Sequence, residues 1–384
     1  MISSPDRRQD RGARFLVVAA SLIIVVAGLR EASQLILPFL TAVFLAVVSL
    51  PVMAWLRKHK VPTPLAVLIT VAVAATVVSV LGAVVGRSVN EFAQVAPQYQ
   101  ARLQELTAGV LSWVEGLGLP ALESSLLDYA NTDALVNLLG NTLGALAAIL
   151  SNTFLVLLAV IFILFEAAGF RAKFRVAFGE REASMARFSQ MTHQVQNYLA
   201  IKTMVSLSTG VLAGVWVWAL GLDFPLLWGL VAFIFNFIPN LGSIFAAIGP
   251  VLLAIVQFGP ARALVVAIGY VAINVVFGNV VEPLLLGRRL GLSTLVVFLS
   301  LVFWGWLWGP MGMLLSVPLT MVMKIALENT EDFRWIAVML DANPSDQHAT
   351  TVAASATADV SSVESGLRSD GPSEPTAHSR TPVV

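Results

Sequence analysis

From residue 15 to residue 326 the chain is a succession of apolar runs, most of them about as long as a bilayer is thick. A helical span needs ~20 mostly apolar residues to cross a ~30 Å hydrocarbon core. Such runs occupy 15–29, 32–55, 64–86, 143–165, 204–220, 225–258, 262–281 and 292–326. Backbone in lipid must satisfy its own hydrogen bonds, so runs of this length are helices. The expected fold is all-α, a polytopic integral membrane protein of about 8 membrane segments. Two of the segments, 225–258 and 292–326, are Pro/Gly-broken helical hairpins. Composition agrees with this, because 57% apolar and 12% charged residues leave too few charges for a soluble surface on 384 residues.

Four arginines (Arg7, Arg8, Arg11 and Arg14) precede the first run, as in a secretory signal peptide. No small-x-small cleavage pattern follows closely, and a second run begins almost at once, so a retained hairpin is more economical. Lys and Arg in the loops set the orientation. With the N-terminus in the cytoplasm and each broken run starting and ending on one side, 19 of the 23 basic residues are cytoplasmic. Only Arg30, Arg87, Arg102 and Arg262 then face outward. A single span over 225–258 would throw Arg288 and Arg289 outside. Residues 225–238 also make only ~21 Å of helix, too short to cross alone.

The expected organisation has a disordered cytoplasmic head (1–14), three spans (15–86), an outer segment (87–142), a membrane core (143–341) and a disordered cytoplasmic tail (342–384). The core contains a basic cytoplasmic connector at 166–203. In the outer segment Phe92, Val95, Tyr99, Leu103, Leu106, Val110 and Trp113 recur at steps of three or four, the stripe of an amphipathic helix. That stripe either lies on the chain's own bundle or on the lipid interface, or forms a stalk against neighbouring subunits.

Much chemistry is absent. There is no phosphate loop and no His-Glu-x-x-His, and the chain has no Cys. His59, His193, His348 and His378 do not cluster, so no metal, cofactor or enzymatic activity is expected. A net charge of zero provides no field for nucleic acid. Transport or permeation remains the best class.

Irregular backbone at membrane depth persists only where protein or a watery cavity satisfies it. In the first broken run Pro239 and Gly242 interrupt the helix, flanked by Asn236 and Asn240, and Gly249 and Pro250 are further candidate hinges. In the second, Gly309, Pro310, Gly312 and Pro318 are the candidate hinges. Paired interruptions of this kind point to a transporter binding site. The plainer alternative is that Pro and Gly only permit kinks and close packing. Between the hairpins, Glu282 stands at the end of the span 262–281, with Asn274 and Asn279 before it on the same helix. An intramembrane carboxylate is a functional hypothesis by default, carrying a proton or helping to hold a cation. Equally, it could pair with Arg288 or Arg289 and pin the loop.

The Phe-Ile-Pro-x-x-Gly break at 237–242, Gly-Pro at 249–250, Glu-Pro-x-x-x-Gly-x-x-Leu-Gly-Leu at 282–292 and Gly-Pro-Met-Gly-Met-Leu-Leu-Ser-Val-Pro at 309–318 resemble the autoinducer-2 exporter family, also named purine-repressor-regulated permeases. The resemblance covers roughly 15–340, with both tails and 87–142 outside it. It implies a secondary, ATP-independent transporter of the inner (plasma) membrane that assembles as a homo-oligomer. Members are associated with export of the quorum-sensing furanone, others with sodium–proton antiport. Carried over as motif positions are Pro239, Gly242, Glu282, Pro283 and Gly287, in a loop that also holds Arg288 and Arg289.

The leading expectation is a permease exporting a small molecule or ion, with a path near Asn236, Asn240, Asn279 and Glu282. The alternatives are a sodium–proton antiporter, an oligomeric scaffold acting through its outer helix, and a passive channel.

Overall fold

The first two apolar runs form α1 (Arg7–Glu31) and α2 (Ser33–Lys58), which meet at Ala32. Leu16, Leu22, Ile23 and Ile24 on α1 are each more than 60% exposed, as suits side chains whose solvent is lipid. The computed structural model describes residues 7–116, 140, 144, 153–178, 182–239, 241–286, 292–328, 330 and 334–341. The expected Arg288, Arg289, Gly287 and Asn240 positions, residues 1–6 and the tail from 342 therefore lie outside the described residues, while residues 7–14 of the expected disordered head are helical as the start of α1.

The third run opens at Thr63-Pro64, and proline in a first turn gives up no helical hydrogen bond. The helix continues far beyond the apolar run: α3 is a single helix, Thr63–Gly116, of 54 residues. Its expected stripe is buried at Phe92, Tyr99 and Leu103, in the same core cluster as Leu222, Leu227 and Leu253. The extension thus packs on its own bundle over these residues. The side chains of Val110 and Trp113 are outside the description. Tyr99 OH donates to Asp223 Oδ2 at 2.6 Å, tying the extension to the loop that opens the first broken run.

Two further helices follow, α4 (Thr153–Phe178) and α5 (Glu182–Ala219). No Gly or Pro interrupts 182–209, so the basic connector and the fifth run share one 38-residue helix. α2, the first part of α3, and α4 pack around Ala42, Ala46, Ala66, Val67, Val160 and Leu164.

The first broken run becomes α6 (Pro225–Phe235) and α7 (Gly242–Phe258). Phe224 takes a left-handed conformation (φ 60°) ahead of Pro225, which starts α6. The ends of this hairpin meet: Asp223 N donates to Gln257 Oε1 at 3.2 Å, and Gln257 Nε2 donates to Gly221 O at 3.4 Å. At the tip the chain winds through short turns, with Phe237 N on Ile234 O (3.2 Å) and Ile238 N on Phe235 O (2.8 Å). These i→i+3 bonds keep the backbone satisfied around Pro239. α7 runs unbroken through Gly249-Pro250, so no hinge forms there. Gly249 instead gives the Trp228 ring room, since a Cβ would come within 2.3 Å of it.

Gly259 (φ 86°) turns the chain into α8 (Pro260–Asn274). α8 passes directly into a seven-residue π-helix, Val275–Val281, and then α9 (Glu282–Leu286). The second broken run is α10 (Thr294–Glu328), two helices joined across Gly309, whose φ of 64° and ψ of −147° are not helical. A short helix, α11 (Arg334–Leu340), closes the described chain.

Gly309 is the break, while Gly312 and Pro318 lie inside the second half of α10. The tip sits beside the end of α1: Trp308 Nε1 donates to Leu29 O at 3.0 Å, and the Arg30 guanidinium lies 5.2 Å from the centre of the Trp306 ring. Both arms return to α11, where Ser293 N donates to Leu340 O (3.2 Å) and Lys324 Nζ to Asp341 Oδ2 (2.9 Å). Among the described residues all regular structure is helical. Among the described residues five helices are long and apolar enough to cross a membrane: Ser33–Lys58, Thr63–Leu106, His193–Ala219, Pro260–Leu285 and Thr294–Glu328. This is the all-α polytopic membrane fold, with both broken hairpins present.

Candidate functional site

One face of α5 carries Tyr198, Lys202 and Ser206 at steps of four, which stack on a single side of a helix. All three are buried. Three residues on, Thr209 has a buried hydroxyl with no hydrogen-bond partner among the described residues. An apolar bundle holds such a polar ladder only where other elements bring partners to it. Three elements pack against it here, two of them with polar partners.

The first is the end of the π-helix. Lys202 Nζ donates to both carboxylate oxygens of Glu282, at 2.6 and 2.8 Å. Lys202 is 3% exposed and the Glu282 side chain 19%. The second is the tip of the first hairpin, where Asn236 Nδ2 donates to Ser206 Oγ at 2.9 Å with both residues buried. Ser206 lies about 20 Å down α5 from its end at Ala219. The tip therefore sits deep in the bundle, one helical turn from the ion pair. The third is the base of the second hairpin, where Leu292, Val317 and Met321 pack with Tyr198 and Leu199.

Glycine sets how closely the first hairpin approaches. A Cβ at Gly210 would lie 2.7 Å from Gly229 O, and one at Gly229 would lie 2.8 Å from Gly210 O. Gly214, one turn further, also borders Gly229. Small residues spaced by four let two backbones touch, which is how helices associate in lipid. That seam clamps α6 to α5 and delivers Asn236 to Ser206. Phe237 adds an edge-on contact with Phe44 of α2, ring centres 5.6 Å apart.

The expected site residues separate on this geometry. Asn236 and Glu282 come together through α5. Pro239 and Gly242 shape the tip through the backbone, where Pro239 O accepts from Leu241 N at 2.6 Å and Gly242 N donates to Ile238 O at 3.2 Å. Asn279, within the π-helix, is exposed on the bundle surface, whereas Glu282 is part-buried. Pro283 is exposed. The partner of Glu282 is Lys202, a residue that the charge count had assigned to a cytoplasmic connector. Its signal lay in the four-residue spacing to Tyr198 and Ser206. Among the described residues no three His, Asp or Glu side chains gather as a metal site requires.

The profile described as AI-2E family transporter matches residues 17–332. The chain belongs to the AI-2E transporter family. The match runs through 87–142, which the motifs alone had left outside. The "AI-2 transport protein TqsA" of Escherichia coli (strain K12) is 40% identical over 329 residues, covering 86% of this chain and 96% of that protein. A "Putative transport protein" of Haemophilus influenzae is 37% identical over 333 residues, covering 85% and 96%. The E. coli K12 "Putative transport protein YhhT" is 33% identical over 336 residues, covering 88% and 95%. This AI-2E chain is thus a multi-pass membrane transporter, and the pair Lys202–Glu282 lies inside the matched region.

Proposed function

We infer that the chain is a secondary, ATP-independent transporter that exports a small solute of the autoinducer-2 kind. Its place is the inner (plasma) membrane, with both termini cytoplasmic, and it works as a homo-oligomer. The observation that carries the path is the buried Lys202–Glu282 pair, one helical turn from a hairpin tip held by Asn236 and Ser206. Ionisable groups at membrane depth are expensive and mark solute or ion pathways. Broken helices place their polar tips at such sites. The relative TqsA is named for AI-2 transport, which supports the solute class. Glu282 is the coupling group, so movement of the solute depends on a cation or proton gradient.

Sodium–proton antiport is the second reading, favoured by the same single carboxylate. A scaffold acting through the outer helix has less support, since Phe92, Tyr99 and Leu103 face the chain's own core. Vesicles reconstituted with the full chain and loaded with autoinducer-2, with imposed sodium and proton gradients, separate these readings. Gradient-dependent efflux that collapses in Glu282→Gln is expected. Efflux no faster than from protein-free vesicles would remove the export reading.

A further inference from the structure

The turn between α2 and α3 carries four consecutive basic side chains, Arg57, Lys58, His59 and Lys60, all exposed. From residue 32 to residue 90 the sequence has no Asp or Glu, so neither α2 nor the apolar part of α3 brings a carboxylate to them. Among the described residues none of Arg57, Lys58 and Lys60 has an ion-pair partner. Leu164 of α4 shares a core cluster with Leu56, and α4 then runs through Glu166 to Arg171, Lys173 and Arg175, which adds more positive than negative charge. We propose that this turn is a binding site for the phosphate headgroup of an anionic phospholipid. The site lies apart from the Lys202–Glu282 pair and does not depend on the transport reading.

The turn is built, and at a conformational cost. Lys60 N donates to Arg57 O at 3.0 Å and Val61 N to Leu56 O at 3.3 Å. Those two bonds are the pattern in which a helix ends on a left-handed residue, a place usually taken by glycine. Lys60 occupies it with φ 63°. Glycine would adopt that backbone without strain, so a lysine is kept there against conformational preference. Val61 packs against the cluster that holds Leu56, and Pro62 stiffens the exit. A charge that served only to orient the chain in the membrane could stand on relaxed backbone one or two residues away. The left-handed residue instead fixes where the ammonium leaves the chain, close to Arg57. The N–H groups of His59, Lys60 and Val61 are all spent on α2 carbonyls, so side chains must hold the anion. A guanidinium fork beside two ammonium groups suits phosphate oxygens.

Trp55 decides between a lipid and a soluble phosphate. It is 60% exposed, one turn before His59 at the end of an apolar span. An exposed tryptophan there sits at headgroup level. The rings of Trp55 and His59 lie 4.4 Å apart, and His59 Nδ1 donates to Trp55 O at 2.9 Å. The basic residues therefore begin at the depth where lipid phosphates lie. Arg57, Lys58 and Lys60 supply more positive charge than one phosphodiester neutralises, so a headgroup with two phosphates should bind more tightly than one with a single phosphate. Each such charge near an anionic surface strengthens binding about fivefold.

Thermal unfolding of the delipidated full chain in nonionic detergent, titrated with short-chain phosphatidylglycerol, tests this. A saturable rise in melting temperature is expected, with none from phosphatidylcholine of the same chain length or from inorganic phosphate. Lys58→Gln/Lys60→Gln should weaken the apparent affinity at least about tenfold, since two charges are gone. Lys60→Gly is the sharper variant: without lipid it should melt at or above the wild-type temperature, yet bind phosphatidylglycerol several-fold more weakly. A residue needed only for topology or folding would not separate those two readouts. Equal stabilisation by phosphatidylcholine overturns the proposal, as does an affinity that the double variant leaves unchanged. A shift reproduced by inorganic phosphate would assign the turn to a soluble anion and overturn the lipid. Loss of the lipid effect in the variants with solute efflux intact keeps the site and leaves the export reading untouched.

Discussion

Gly242 and Gly312 occupy equivalent positions just past the two breaks. A Cβ at Gly242 would lie 1.8 Å from Phe235 O, and one at Gly312 would lie 1.9 Å from Trp304 O. Each glycine lets the returning arm touch the carbonyl of the outgoing one. Alanine at either site should cost about 1–3 kcal/mol, the usual range for overpacking. Thermal unfolding of the purified protein measures this, with Gly28→Ala as control because nothing lies within 4 Å of that site. Asn236→Ala removes the amide that satisfies Ser206 and should destabilise by about 1–3 kcal/mol, as unpaired buried polar groups do. The expected signature is a lowered melting temperature together with slowed efflux; a variant unchanged in both would show that the tip contact is incidental. At this scale Glu282 and the tip residues were legible, because a carboxylate or a Pro-Gly break stands out in an apolar run. Lys202 was not, because a lone basic residue next to a basic connector reads as a topology signal.

At the scale of elements, the seam between α5 and α6 matters more than any single polar contact. Gly210 and Gly229 meet backbone to backbone, so a large side chain at either must separate the helices. Gly229→Leu should unseat the hairpin and abolish the folded protein in detergent, read by size-exclusion profile and yield. A variant that elutes and melts like the wild type would mean that the seam yields easily. The single helix α3 was only half legible. Its amphipathic stripe was visible, but its continuity with the third span was not. Neither Pro97 nor the rise in polarity stops a helix whose far half packs on Leu222, Leu227 and Leu253. The π-helix, Val275–Val281, left no signal in the residue pattern.

At the scale of the whole molecule, the two hairpins are built differently. The first is pinned at its tip to α5, deep in the bundle. The second reaches the end of α1 with its tip and is fastened at its base by α11. Removing one partner of a buried pair costs about 3–5 kcal/mol. Asp341→Asn should therefore loosen that base, seen as faster hydrogen exchange over 293–297 while the first hairpin keeps its protection. Equal rates in both proteins would show that α11 is not a fastening. The sidedness inferred from 19 against 4 basic residues is directly testable, because the chain has no Cys. Single-cysteine reporters Ser4→Cys and Ser369→Cys should react with an impermeant maleimide only from the cytoplasmic face, and Glu115→Cys only from outside.

The apolar runs, the charge asymmetry and the two Pro/Gly breaks determined by themselves that this is a helical membrane protein with hairpins in its second half. Those properties follow from transfer energies and backbone chemistry, which act residue by residue and need no neighbour. Which side chains meet was decided only in three dimensions. Residues 202 and 282 are far apart in the chain, and their pairing depends on the glycine seam, the π-helix and the depth of the hairpin tip. Each of these is a property of packing between elements, where the physical cause lies on the partner helix.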